Sequence, residues 1–197
     1  MPWPKEHKIN TRARIVEAAA AEFRQHGIAQ VGVAEVMRRA GLTHGGFYAH
    51  FDSKEELLAE ALAHASEQVN KMLDTTSPDD ASAHRLLGAA ATYLSSFHLS
   101  HPERACPVAI LGPELLRSSQ KVRRKLAADI RRRLKKLHDL IPAQVPPQTR
   151  KQQAAGAFAC MVGGLILARA LNESERTKFL KDCHGFLREA LTRPKGL

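Results

Sequence analysis

The sequence has few cysteines and lacks the marks of secretion or membrane insertion. Its three cysteines, Cys106, Cys160 and Cys183, form no Cys-x-x-Cys pair. This argues against a disulfide framework or a structural zinc site and fits a reducing cytoplasm. The first residues have no apolar core, so no secretory signal is expected. The longest apolar run, residues 154–168, contains three glycines and is short for a membrane span.

Strand signals are almost absent from the chain. Aromatic residues make up only 5% of it, and nearly every segment has apolar residues at helical spacing. A length of 197 residues is enough to bury a sizeable core. We therefore predict an all-α protein of about nine helices.

The net charge of +10 favours a polyanionic partner, but the charge is unevenly placed. Residues 1–58 hold eight basic and seven acidic side chains, so this segment is close to neutral. Residues 117–136 hold ten Lys or Arg against one Asp. Because their apolar residues form one helical stripe, we expect the basic run to be a solvated helix face. Net charge therefore does not identify a nucleic-acid site.

The first 40 residues predict two helices. The first begins at Asn10 or Thr11 and ends at Gly27, which permits the left-handed conformation of a helix stop. The second covers residues 33–40, where apolar side chains recur at helical spacing. Gly41 then permits a tight turn.

A third helix of about two turns is predicted after this turn. Thr43 is placed to cap it, and Phe47 and Phe51 face the core. The segment Ser53–Glu56 is a capping box that starts a long fourth helix.

The remaining 140 or so residues predict five further helices. Their expected positions are a helix from Ser77–Asp80 to Phe97, a short one over Val108–Arg117, one from Ser118 or Ser119 with an apolar stripe of Val122, Leu126, Ile130, Leu134, Leu137 and Ile141, one over about Thr149–Leu171, and a last one capped by Asn172 and Glu175.

Residues 40–58 read A-G-L-T-H-G-G-F-Y-A-H-F-D-S-K-E-E-L-L, which closely resembles the signature of the TetR family of bacterial transcriptional regulators. The segments R-I-V-E-A-A-A-A-E-F-R-Q-H-G and A-E-V-M-R-R-A-G resemble the first two helices of the same family. The resemblance implies a helix-turn-helix DNA-binding domain over residues 1–53. It also implies a ligand-binding and dimerisation domain over residues 54–197.

The chemistry of the signature fits contact with DNA. Hydroxyl and imidazole groups bond to phosphates or base edges, and glycine lets the backbone approach closely. By resemblance, Tyr48, His50 and Lys54 match phosphate-contacting positions, and Thr43, His44 and Gly46 match base-reading positions. Gly45 completes the expected DNA-binding set.

Two departures from the family pattern affect this site. Val31-Gly32 stands where the family usually has a Ser or Thr that starts the second helix. Gly45 and Gly46 weaken the third helix, since each glycine costs about 1 kcal/mol relative to alanine. Specificity is therefore expected to rely on DNA shape or on an N-terminal arm that carries Lys5, Lys8 and Arg12.

The resemblance further implies a homodimer formed through the last two helices, a near-palindromic operator on double-stranded DNA, and release by a small-molecule effector. An apolar effector pocket, or alternatively plain hydrophobic core, is expected from a set of side chains in the middle helices: Tyr93, Phe97, Leu111, Phe158 and Met161. No cofactor and no metal are expected. His98 and His101 lie three apart, but no third ligand is evident.

Two other functions remain open from the sequence. The first is a helical protein-interaction module with a vestigial helix-turn-helix. The second is a small α-helical enzyme. Against an enzyme, the sequence has no H-E-x-x-H, no glycine-rich phosphate loop and no nucleophile with a base beside it. We therefore expect a DNA-binding repressor in the cytoplasm rather than an enzyme.

Overall fold

The structure is a computed structural model that describes residues 5–74 and 82–192. These ranges contain helices and connecting turns but no strand, so the predicted all-α fold is confirmed. Two short 3₁₀ helices cover His44–Ala49 and Pro102–Arg104. The α-helices of the described ranges are α1 (Lys5–His26), α2 (Val33–Arg39), α3 (Lys54–Asp74), α4 (Ser82–Tyr93), α5 (Ser96–Ser100), α6 (Pro107–Arg117), α7 (Gln120–Asp139), α8 (Pro147–Arg169) and α9 (Glu173–Thr192).

The chain divides into two compact units. The first unit combines Met1–Gln68 with Pro102–Ala127, and the second combines Val69–His101 with Ala128–Leu197. The functional boundary expected between residues 53 and 54 stays a prediction. In the first unit, α1 packs against α2, α6 and the 3₁₀ helix at Pro102–Arg104. In the second unit, α9 packs against α4 and α8.

Helix α1 begins earlier than the sequence suggests. The prediction that it starts at Asn10 or Thr11 is wrong, because the helix is already formed at Lys5. Residues 5–12 are therefore the first two turns of a helix, not an extended N-terminal arm. The predicted end is confirmed: Gly27 has φ +85° and its N–H donates to the carbonyl of Phe23 at 2.9 Å.

The third helix of the signature differs from the prediction in type and in capping. Residues His44–Ala49 form a 3₁₀ helix, which we call the recognition helix, and the side chain of Thr43 makes no capping hydrogen bond. Two adjacent glycines explain the difference, because they favour neither α-helical propagation nor a stable first turn. Phe47 and Phe51 are both about 1% exposed and stack at 5.6 Å, so the predicted inward face is confirmed.

The capping box at the start of α3 forms with one change of partner. Ser53 Oγ accepts from the N–H of Glu56 at 3.1 Å, as predicted. The Glu56 carboxylate reaches back to the N–H of Asp52 at 2.9 Å. Arg12 of α1 donates to Glu56 at 2.9 Å and to Glu60 at 2.5 Å. The capping box is thus also the point where α1 and α3 are joined.

The helix expected to run on to Phe97 is broken. Helix α4 ends at Tyr93, and α5 starts anew at Ser96 with Ser95 as its N-cap, which accepts from the N–H of His98 at 3.4 Å. Two adjacent serines at 95 and 96 offer the backbone an alternative partner to the helix, which favours a break. The predicted helix start at Ser77–Asp80 lies outside the described residues.

Helix α7 carries its basic side chains mostly in solvent, as expected, but its buried face is not the predicted one throughout. Ile130 and Leu134 are only half-buried, whereas Asp129 and Arg133 are buried. Asp129 also accepts a hydrogen bond from Arg132. Apolar spacing alone did not reveal that polar groups occupy part of the interior.

Helices α8 and α9 pack closely at Gly164. A Cβ at this glycine would lie 3.0 Å from a Leu94 methyl group and 3.4 Å from Cys183 Sγ. The predicted cap of α9 forms reciprocally, since Asn172 Oδ1 accepts from the N–H of Glu175 at 3.1 Å and Glu175 accepts from the N–H of Asn172 at 3.3 Å. In the described ranges, none of the helices combines the length and apolarity needed to cross a membrane.

The carboxylate of Glu56 should make the stability of the first unit depend on pH. The N–H of Asp52, and then Arg12, lower the pKa of Glu56. A lowered folded-state pKa contributes stability that is full above the unfolded pKa and is lost as pH falls through the folded pKa. Glu56→Gln keeps an oxygen for the N–H of Asp52 but removes the charge. We expect it to lower the free energy of unfolding at pH 7 by about 1 kcal/mol or less, since the pair is partly solvent-screened.

Urea unfolding of both proteins between pH 7 and pH 3 measures this effect. The difference between them should shrink below about pH 4, near the ordinary pKa of a glutamate. Glu17→Gln, on the exposed face of α1, is the matched control. A difference that stays constant over the whole range would contradict the role of the Glu56 charge.

Candidate nucleic-acid interface

The turn between α2 and the recognition helix is fixed by backbone geometry. Gly41 adopts φ +68°, a conformation that other residues rarely take. The N–H of Leu42 donates to the carbonyl of Met37 at 2.9 Å, which closes the turn. Arg14 Nη2 of α1 donates to the carbonyl of Ala40 at 2.6 Å. The turn is therefore held from within and from the neighbouring helix.

The recognition helix presents a small polar surface. Thr43, His44, Gly45 and Tyr48 are all exposed, and Tyr48 is 66% exposed. The Tyr48 ring lies edge-on to the buried Phe47 ring at 5.3 Å. Such a large aromatic side chain left in solvent with its hydroxyl free to bond outward is suited to contact a phosphate.

Neither glycine of the recognition helix is required by packing. A Cβ at Gly45 would meet nothing within 4 Å, and one at Gly46 would make ordinary contacts with Met37 Cε at 3.6 Å and Thr43 Oγ1 at 3.9 Å. Both also lack a positive φ, unlike Gly41. The fold therefore gives no reason for two glycines here, whereas close approach of another molecule to this backbone does.

His50 is less available than the sequence suggested. It is half-buried, and its Nδ1 is buried with no hydrogen-bond partner among the described residues, so Nε2 is the nitrogen left for an outside group. Burial, followed by the charges of Lys8 and Arg12, lowers the pKa of His50. The imidazole is thus held neutral near pH 7, and in the tautomer with its proton on Nε2 it offers an N–H rather than a cation.

Lys54 has a structural partner in addition to its predicted role. Its Nζ donates to the carbonyl of Ile28 at 2.7 Å and lies 5.9 Å from the centre of the Phe23 ring. The predicted phosphate contact of Lys54 stays a prediction. An ammonium group has three donors, so this internal bond leaves donors for an outside acceptor.

Glu114 of α6 contacts the same loop from the other side. Its Oε2 accepts from the N–H of Ile28 at 2.8 Å and from the N–H of Ala29 at 3.1 Å. The loop between α1 and α2 is thus bracketed by a carboxylate and an ammonium group, which we call the Ile28 clamp (Ile28, Ala29, Lys54, Glu114). Sequence reasoning missed Glu114, and no local signal marks it, because its partners lie 85 and 86 residues away.

Most arginines of the first three helices are already engaged within the protein. Arg12 bonds to Glu56 and Glu60, and its guanidinium lies 4.0 Å above the Phe51 ring. Arg39 pairs with the buried Glu22 at 2.5 Å, and Arg38 pairs with Glu35. The candidate interface is therefore not a basic patch. It is a surface of hydroxyl, imidazole and backbone groups.

The residues expected to form an effector pocket are divided between the two compact units. Leu111 lies in the first compact unit, whereas Tyr93, Phe97, Phe158 and Met161 lie in the second. Tyr93, Phe158 and Met161 are buried, but Phe97 is 46% exposed and stacks on His101 at 4.1 Å. His98 is buried, with Nδ1 bonded to the Tyr93 carbonyl at 2.8 Å. The pocket itself stays a prediction.

The chain resembles known regulators in sequence and in fold. Residues 15–61 match the family model described as bacterial regulatory proteins, tetR family. An uncharacterized HTH-type transcriptional regulator, YdgC of Bacillus subtilis, is 34% identical over 71 residues, which are 36% of this chain and 36% of that protein. The HTH-type transcriptional repressor SCO4008 of Streptomyces coelicolor is 36% identical over 98 residues, 47% of this chain and 45% of the relative. The match thus spans less than half the length of either relative.

The fold similarity extends over nearly the whole chain. A TetR transcriptional regulator from Chloroflexus aurantiacus superposes with a TM-score of 0.80 at 24% identity, covering 95% of this chain and 97% of that structure. At this identity the likeness concerns the fold. The regions outside residues 15–61 therefore share the architecture of these regulators.

Loss of the Glu114 carboxylate should loosen the loop before α2. Glu114→Ala leaves two backbone N–H groups without their acceptor, which costs about 1–3 kcal/mol where such a group is shielded from water. Hydrogen exchange should show faster exchange of the Ile28 and Ala29 amides. Glu114→Gln keeps an acceptor oxygen, so its exchange rates at these amides should lie between those of the unchanged protein and those of Glu114→Ala. Unchanged exchange at both amides in Glu114→Ala would contradict the Ile28 clamp.

Proposed function

The chain belongs to the TetR family of bacterial regulatory proteins, and we propose from this premise that it is a dimeric repressor that acts on DNA in the cytoplasm. It binds a near-palindromic operator in double-stranded DNA and is released by a small-molecule effector. The observation that carries the proposal is the exposed polar surface of the recognition helix, which rests on a buried aromatic support.

The surface suits a major groove in shape and chemistry. Thr43, His44 and Gly45 lie exposed in the first turn, where short side chains bring the backbone close to base edges. Tyr48 and His50 follow with a hydroxyl and a neutral N–H, both of which donate to phosphate oxygens. A recognition helix that lacks long basic side chains relies on fit and on DNA shape for its specificity.

The dimer is supported by apolar side chains left in solvent on α8 and α9. Ile166 is 45% and Leu167 is 57% exposed on α8, and Phe186 is 63% exposed on α9. Ala155 and Ala159 are exposed at helical spacing before Ile166, which gives a continuous stripe of small and apolar side chains. An apolar surface on two adjacent helices is typical of a protein–protein interface. The proposed partner is a second copy of this chain.

Two copies joined in this way carry two recognition helices. Because a two-fold axis repeats every contact, the operator has two half-sites related by near-palindromy. The dimer exists in a form that fits both half-sites and a form that does not, and the effector shifts the population toward the second form. This part of the proposal comes from the family and from the relative named as a repressor.

Selection from a random DNA pool tests the proposal. We expect enrichment of a near-palindromic sequence. Tyr48→Phe removes one hydroxyl, and Gly45→Ala adds a methyl group that meets nothing in the free protein. Each should lower operator affinity at least about 10-fold, because a dimer loses each contact twice and a hydrogen bond to a charged group is worth about 1.5–3 kcal/mol.

Neither variant should reduce stability, since Tyr48 is exposed and alanine favours a helix over glycine. Lys178→Ala on α9 is the control for a surface change outside the interface. No enrichment of any sequence at moderate salt would overturn the proposal, and so would full affinity of both variants. Weak binding insensitive to sequence would favour a protein-interaction module with a vestigial helix-turn-helix.

A further inference from the structure

A groove of about 520 Å³ lies in the second compact unit between the α4–α5 corner and one face of α9. It has the size of a small-molecule site, for which about 300–1,000 Å³ is usual. None of the five side chains expected from the sequence to hold an effector lines it. We call it the α9 groove.

The wall formed by α9 repeats at the helical period. Arg176, Leu180, His184 and Arg188 are each four residues apart, so their side chains lie along one face of the helix. Phe186, on the proposed dimer stripe, lies on the other side of α9. The groove and the proposed dimer surface therefore do not compete for the same face.

The charge of the lining is strongly one-sided. Arg176, Lys181 and Arg188 are three cations, and Glu173 is the one carboxylate among the lining residues that the structure describes. Within the described part of the chain, none of these three cations forms an ion pair. Unpaired cations around a concave surface attract an anion.

Arg176 uses only part of its hydrogen-bonding capacity within the described residues. Its Nη2 donates to the carbonyl of Leu171 at 3.1 Å, but its Nε is buried and has no hydrogen-bond partner among the described residues. A guanidinium carries five N–H donors, so an oxyanion in the groove would accept from terminal N–H groups that the Leu171 carbonyl leaves unused.

The floor of the groove is apolar. Leu94 and Leu180 form its base, each 6% exposed, and the half-buried Leu99 and the exposed Ala91 supply the apolar surface that is more open. An inorganic anion would leave that floor uncovered. A molecule with both an anionic group and a short apolar chain would satisfy the cations and cover the leucines.

We propose that the α9 groove binds a small amphiphilic carboxylate, with its head at Arg176 and Arg188 and its chain on Leu94 and Leu180. This binding does not depend on the proposed function, because it needs no DNA. It differs from the apolar effector pocket expected from the sequence in requiring a ligand with a negative charge.

Titration calorimetry of the full chain with decanoate, below its micelle concentration, tests the proposal. We expect saturable binding of one decanoate per chain. Decanol and decyltrimethylammonium share the chain but lack the anionic head, so they should bind at least about 10-fold more weakly. No saturable decanoate binding, or equal binding of all three molecules, would overturn the proposal.

Variants locate the site. Arg176→Gln and Arg188→Gln should each weaken decanoate binding about 10-fold, whereas Lys178→Gln, on α9 but not in the lining, should leave it unchanged. Unchanged binding in both arginine variants would contradict the assignment.

Gly185 offers a test that does not depend on removing a structural arginine. It lines the groove, and a Cβ there meets nothing within 4 Å. Gly185→Leu should therefore fill the groove and abolish decanoate binding without loss of thermal stability, since glycine is a poor helix former. Gly185→Ala, the matched control, should retain binding within a few-fold. Full binding by a stably folded Gly185→Leu would place the ligand elsewhere.

Discussion

The bracketing of one peptide, the one between Ile28 and Ala29, governs the geometry of the candidate interface. The carboxylate of Glu114 accepts its N–H and the ammonium group of Lys54 donates to its carbonyl. This peptide lies in the loop that leads into α2, and α2 leads through the Gly41 turn into the recognition helix. A recognition helix with two glycines has little intrinsic preference for one conformation. Its position is therefore set by what holds the loop before α2 and the turn after it.

The basic side chains of the first unit likewise bind within the protein. Arg12 bonds to Glu56 and Glu60, Arg14 to the Ala40 carbonyl, and Arg39 to Glu22. They join α1 to α2 and α3 rather than covering the surface with positive charge. What remains exposed on the recognition helix is directional: a phenol, an imidazole, a hydroxyl and backbone groups. Such groups discriminate by geometry more than by long-range attraction.

The parts that could be predicted from the sequence are those with local causes. The stop at Gly27, the turn at Gly41, the capping boxes at Ser53 and Asn172 and the inward Phe47 and Phe51 each follow from residues within a few positions of one another. The 3₁₀ form of the recognition helix, the earlier start of α1 and the break at Ser95 depend on weak preferences that neighbouring structure decides. The role of Glu114 and the burial of Asp129 and Arg133 arise from tertiary contacts, which no spacing in the sequence encodes. The α9 groove likewise needs the α4–α5 corner opposite its regularly spaced wall.

The central claim is that DNA is bound by a few directional contacts of the recognition helix, not by the exposed basic face of α7. The salt dependence of affinity for the selected operator tests this most directly, because each neutralised phosphate contributes about −0.9 to the slope of log affinity against log salt. With so few free cations near the recognition helix, the account predicts a slope no steeper than about −4 for the dimer, and much weaker binding to unrelated DNA. A slope near −8 or steeper, equal for operator and unrelated DNA, would contradict it and assign binding to the basic helix face.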